Sequence, residues 1–253
     1  MLGFGTGNAT SGWQRRKIGP VFAERGMVAC EHPLMASAGL DVLQRGGNAA
    51  DAAIAAAVVG SVVMPEMCGL GGDLFAIVYD PASGEILSFL GSGISARAAT
   101  IEQVRAAGEN GQMPFRGPHA VGVPGMVDGY FAILNRFGSR LFGELAQHAI
   151  AYAEEGHPVT TSLARHICEY ASLLGSFDAS ATTFLPGGTP PKPGQNLKQS
   201  ELGRTLRAIA DHGADVFYRG EIGARIIAAM RAAGGVMSLD DFAGHYTVVT
   251  PPI

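Results

Sequence analysis

Few residues of this chain are of types that make or break bonds, and their spacing does not single out one reaction. The densest group is the loop Cys68-Gly69-Leu70-Gly71-Gly72-Asp73. A phosphate cradle would run on into Lys-Ser or Lys-Thr at the start of a helix. Here the apolar run Leu74-Phe75-Ala76-Ile77-Val78-Tyr79 follows and reads as a strand. The glycines then either let the backbone pass close to another element or line a pocket with N–H groups. Cys68 has no base or cation beside it to lower its thiol pKa, which makes it a poor nucleophile. The seven histidines, His32, His119, His148, His157, His166, His212 and His245, share no metal-ligand spacing. His32 and His157 each precede a proline and read as turn residues. No Gly-x-Ser-x-Gly elbow occurs. These residues nominate no catalytic group, no metal and no cofactor.

The elements that would position them can be read from pattern. Residues 27–30 form a short apolar run that fits a buried strand, ended by His32-Pro33. A helix is predicted over 34–45, closed by Gly46-Gly47. Asn48 is placed to cap the next helix, with Asp51 three residues on to answer its backbone amide. Residues 52–63 are nearly all Ala, Ile and Val, which predicts a helix packed on several sides. The unbroken apolar run from Leu74 to Tyr79 predicts a strand covered on both faces. Asp80-Pro81-Ala82-Ser83-Gly84 is a turn, and residues 85–90 return as the second arm of a hairpin. Further helices are expected over 124–137, 141–155, 201–211, 220–233 and 238–243, with Thr160 or Thr161 capping another. Residues 179–199, rich in Gly and Pro, read as a loop. Helices around a strand hairpin predict a layered α/β domain. Residues 1–25 read as a flexible leader and 26–253 as one domain.

The bulk properties exclude several classes. Of 253 residues, 47% are hydrophobic and 16% charged, enough apolar material for a sizeable core. A net charge of −4 with scattered cations argues against a nucleic-acid surface, which needs clustered Lys and Arg. No stretch has the roughly 20 strongly apolar residues of a membrane span, since residues 49–63 are interrupted by Asp51 and Gly60. The first twenty residues hold no signal-peptide core. Three widely spaced cysteines signal no disulfide framework, so a cytoplasmic location is expected.

The order of the segments adds more than any one of them. Gly26-Met27-Val28-Ala29-Cys30-Glu31-His32-Pro33-Leu34-Met35-Ala36 is followed by Gly46-Gly47-Asn48-Ala49-Ala50-Asp51-Ala52-Ala53 and by Gly69-Leu70-Gly71-Gly72-Asp73-Leu74-Phe75. Then come Val121-Gly122-Val123-Pro124-Gly125, Glu155-Gly156-His157-Pro158-Val159, Phe217-Tyr218-Arg219-Gly220 and Gly234-Gly235-Val236-Met237-Ser238-Leu239-Asp240-Asp241-Phe242. This colinear set resembles the γ-glutamyltransferase family, in its large-subunit portion. The resemblance implies an N-terminal-nucleophile hydrolase: an αββα sandwich made as one precursor that cuts itself. The new amino-terminal Thr of the small subunit would be nucleophile and, through its own amine, base. No segment here resembles the family's Thr-Thr-His processing site. The resemblance therefore implies a helix-rich, truncated part of that sandwich with no catalytic residue of its own, completed by a small subunit, of an amidase that transfers or hydrolyses γ-glutamyl (glutathione-like) or related small-molecule amide bonds.

The resemblance also bears on specificity. After the second hairpin strand the family commonly places an Arg that pairs with the α-carboxylate of a glutamyl group. Aligning Gly91-Ser92-Gly93 puts Ile94 there, with Arg97 three residues on, about 10 Å away in extended chain and on the opposite face. Ile94 points to a different amide, as for an acylase or small amidohydrolase; a slipped loop would instead return Arg97 to the pocket. Two other classes stay open at this point. One is a non-catalytic shell that keeps the family's large-subunit form. The other is a nucleotide-binding α/β domain with phosphate at Gly71-Gly72.

Overall fold

The computed structural model describes residues 20–252. Of the expected leader, residues 1–19 lie outside the described residues, and 20–25 carry no helix or strand. Helix α1 (Pro33–Gln44) begins where His32 Nδ1 accepts the Leu34 N–H at 3.1 Å and Pro33 takes the first helical position. It closes at Gly46, whose φ of +83° suits glycine. Helix α2 (Ala49–Val63) opens on the expected capping box: Asn48 Oδ1 accepts from Asp51 N at 3.0 Å, and Asp51 Oδ2 accepts from Asn48 N at 2.9 Å.

The remaining helices are α3 (Ile101–Ala107), α4 (Met126–Phe137), α5 (Phe142–Leu145), α6 (Gln147–Glu155), α7 (Thr161–Glu169), α8 (Ala171–Gly175), α9 (Asp178–Phe184), α10 (Ser200–His212), α11 (Asp215–Tyr218), α12 (Glu221–Ala232) and α13 (Leu239–Ala243). Strands β1 (Leu74–Tyr79), β2 (Ile86–Gly91) and β5 (Val248–Thr250) form one antiparallel sheet in the order β1-β2-β5. Strands β3 (His157–Pro158) and β4 (Asn196–Leu197) form a two-stranded ribbon. The β1–β2 turn closes as expected, with Gly84 at φ +74° and its N–H donating to Asp80 O.

Helix α2 is the centre of the core. It lies against α1 on one side and α4, α5 and α6 on others, with Ile54, Val58, Val59, Val62 and Val63 buried. Alanines and glycines let the neighbours come near: a Cβ on Gly39 of α1 would touch the Ala52 carbonyl at 3.0 Å. The inner face of the sheet packs on α4, where Phe89 meets Phe137 edge-on at 6.0 Å. A smaller core of Val159, Leu163, Ala164, Ile167, Leu185 and Leu197 lies under α7 and α9. None of the described helices is long and apolar enough to cross a membrane.

Several expectations are corrected. Residues 27–30 form no strand; no described strand runs beside them, and only Val28 is half-buried. Strand β1 is covered on one face only: Phe75, Ile77 and Tyr79 are 66%, 71% and 62% exposed, while Leu74 is buried. An unbroken apolar run does not reveal which layer covers the second face. The helix read over 141–155 is two, broken at Ala146, and the 179–199 loop begins with α9, a short helix that Gly and Pro further on had masked. His157 is not a turn residue. It is fully buried in β3, opposite Leu197.

Candidate functional site

The segment that carries both candidate specificity residues runs out of β2 and is held in place by glycines and carboxylates. Gly91 and Gly93 cross the segment 123–125 so closely that a Cβ on Gly93 would collide with the Val123 carbonyl oxygen, and one on Gly125 with that of Gly91. Glycine is thus demanded by proximity of backbones. Val123 N donates to Ile94 O at 2.9 Å. Asp73, at the end of the glycine-rich loop, accepts from Gly93 N at 3.0 Å. That loop is itself tied down, with Gly72 O accepting from Gly125 N at 3.0 Å and Met126 N at 2.9 Å, and Gly72 N donating to Gly69 O. Its groups hold the fold together, and a strand, not a helix, follows.

Beneath this wall lies a polar cluster. Tyr218 donates its hydroxyl proton to Pro124 O at 2.7 Å and accepts from Asp128 N at 3.0 Å. Asp128 Oδ2 accepts from Thr247 N and Oγ1, each at 2.6 Å, pinning the run into β5. His245 stacks on Tyr218 at 5.5 Å. Burial pushes its imidazole pKa down, and the opposing pull of Asp128 and Asp73 does not overcome it. Burial also pushes the Tyr218 phenol well up, so it serves as a neutral hydrogen-bonding strut.

Ile94 is 46% exposed, an apolar side chain open on this wall. Arg97 is directed elsewhere. Its backbone N–H donates to Asp241 Oδ1 at 3.1 Å, its Nε lies 3.9 Å from the same oxygen, and its guanidinium approaches Gly244. Asp241 is buried at the start of α13. Burial raises its pKa, but bonds from Ser238 and Arg97 outweigh that and hold it ionised. The structure therefore does not bring Ile94 and Arg97 together. Cys68 is half-buried, and burial, with Glu66 beside it, pushes its thiol pKa up, which leaves it a weak nucleophile. Among the described residues no group of three or more His, Cys, Asp or Glu side chains could hold a metal ion.

Asp73, Asp128, Tyr218 and His245 were not singled out from sequence. Asp73 and Tyr218 sit inside quoted motifs, but partners 20 and 94 residues away give no local signal. The sequence profile described as Gamma-glutamyltranspeptidase matches residues 35–253. The chain belongs to the gamma-glutamyltranspeptidase family. It is 35% identical over 226 residues to the glutathione hydrolase-like YwrD proenzyme of Bacillus subtilis, covering 89% of this chain and 42% of that protein. It is 37% identical over 227 residues to the oxamate amidohydrolase proenzyme of Klebsiella pneumoniae, covering 87% and 42%. The crystal structure of Helicobacter pylori gamma-glutamyltranspeptidase superposes with a TM-score of 0.87 at 28% identity, covering 93% of this chain and 68% of that one. The chain spans less than half the length of these curated relatives. Its fold class is that of the family's N-terminal-nucleophile hydrolases, helix-rich and mixed α/β.

Proposed function

We propose that residues 26–253 form the large-subunit portion of an amidase that cleaves an amide other than a γ-glutamyl one. The observation that carries the choice of substrate is Ile94, apolar and half-exposed on the wall where the family's carboxylate-pairing Arg is expected. A glutamyl α-carboxylate would find no cation at Ile94 itself, and the exposed Arg97 side chain leans towards Asp241, its Nε 3.9 Å from that carboxylate. The oxamate amidohydrolase and glutathione hydrolase-like relatives support a family whose members differ in the amide they take. The nucleophile is proposed to be an amino-terminal Thr on a small subunit: its hydroxyl attacks the amide carbonyl, its amine takes the proton and passes it to the departing amine as the C–N bond breaks, and water then hydrolyses the acyl ester to release the acid and restore the hydroxyl. The open outer face of the β1-β2-β5 sheet, with Phe75, Ile77, Tyr79 and Leu90, supports a second layer supplied by that subunit. The cytoplasm suits three free cysteines.

The test uses the full-length protein and one glutamyl and one simple acyl amide. Ile94→Arg should raise kcat/KM for the glutamyl substrate, by up to about a hundredfold, the value of one charge-assisted Arg–carboxylate bond. Arg97→Ala should leave it nearly unchanged. The reverse pair of results would mean that Arg97 reads the carboxylate. No turnover of any amide by the full-length protein would point to the non-catalytic shell.

A further inference from the structure

We propose that the groove between α3 and residues 111–122 is a binding site for an apolar monocarboxylate, separate from the face that presents Ile94. The inference does not rest on which amide the protein cleaves. The groove holds about 690 Å³, a size that takes a small organic molecule. Its walls are Ile101, Val104, Met113, Val121, Val236 and Met237, aliphatic or thioether side chains from three stretches of chain. Arg105 is the only residue of fixed charge in the lining, and no acid lies there. It joins none of the ion pairs among the described residues, although Glu102 and Glu109 lie three and four residues away on the chain. His119 lines the same groove with a buried Nδ1 that no protein group bonds.

This composition sets the chemistry of the ligand. Apolar walls reward a hydrocarbon body, and one uncommitted guanidinium rewards one anionic group placed in a fork-like pair. An amine would meet Arg105 as a like charge, and a polyol would strip water from its hydroxyls against aliphatic walls. Gly93 and Ser95 line the groove and Ile94 between them does not. The exposed Ile94 side chain therefore lies outside the groove, on a segment held to its wall by the Val123 N–Ile94 O bond.

The experiment titrates the 253-residue chain, methyl-labelled at Ile and Val, with sodium octanoate, octanol and octylamine. Saturable shifts are expected at Ile101, Val104, Val121 and Val236, with octanol and octylamine at least about tenfold weaker. Arg105→Gln, at an exposed position, should weaken octanoate by about tenfold or more while leaving the spectrum folded. Val121→Trp should fill the groove and abolish the shifts. Shifts confined to Ile77, Ile86 and Val248 would show mere adsorption to the open sheet and overturn the site. Equal binding of octanoate and octylamine, or an unchanged affinity in Arg105→Gln, would overturn it as well.

Discussion

Asp51 gathers four hydrogen bonds on one buried carboxylate: from Asn48 N, Ser139 N, Ser139 Oγ and Arg140 N. Burial pushes its pKa up, but these bonds outweigh it and hold the group below the ordinary aspartate value of about 3.9. A depressed folded pKa gives stability that is present above the unfolded value and lost as pH falls through the folded one. The acid limb of unfolding below about pH 4 should therefore flatten in Asp51→Asn. That variant should also lose about 2–4 kcal/mol at neutral pH by urea denaturation, since the amide turns acceptors into donors facing backbone N–H groups. A melt within error of the wild type at both pH values would mean that the network contributes nothing.

At the scale of the element, α2 carries a sharper test. Most of its surface is buried, yet Ala53 is exposed while Ala55 has no exposed surface. Ala55→Glu should cost about 3–5 kcal/mol, the penalty of an unpaired buried charge, and Ala53→Glu should melt within about 0.5 kcal/mol of wild type. Composition alone predicts a penalty at both, because an all-Ala and Val helix does not show which narrow stripe is left open. The same limit recurs elsewhere. Caps, turns and helix ends were legible because their signals are local: Asn48 with Asp51, Thr160 before α7, Gly84 in its turn. The polar cluster of Asp73, Asp128, Tyr218 and His245 was not, because its partners meet only in the folded chain. The exposed side of β1 was misread for a related reason, since apolarity of a strand reports demand for cover without naming the covering layer. Ile94 and Arg97 could be named from the order of motifs, whereas the engagement of Arg97 by Asp241, 144 residues away, could not.

At the scale of the molecule, the outer face of the sheet dominates solution behaviour. Phe75, Ile77, Tyr79, Leu90 and Val248 lie side by side and exposed across three strands, a patch of the kind that drives association. The 253-residue chain should self-associate in sedimentation velocity, and Ile77→Lys with Tyr79→Lys should shift it towards monomer without lowering its melting temperature. The same chain should show no turnover of a γ-glutamyl anilide above background, since no segment of it resembles the family's processing site. Acid should act on the whole fold earlier than on Asp51. Burial pushes the His32, His157 and His245 pKa values down. Their stabilising neutrality is complete above the unfolded value of about 6.5 and is lost as pH falls below it. Urea midpoints should drop between about pH 7 and 5.5, and His157→Leu should reduce that drop.

The carboxylate of Asp51 has a further consequence, which concerns time. One of its four bonds comes from Asn48, three residues before it, and three come from the turn after α4, and Asn48 Nδ2 likewise donates to Phe137 O at 2.6 Å. A ribosome adding about 5–20 residues per second needs several seconds to pass from Asp51 to Ser139, and the exit tunnel delays the meeting further. Throughout that interval the nascent chain carries an Ala- and Val-rich segment whose start is only partly tied. The first hundred residues of this fold are thus locked by a latch that the chain makes late in its own synthesis, and a stall before Ser139 emerges should leave that segment to chaperones.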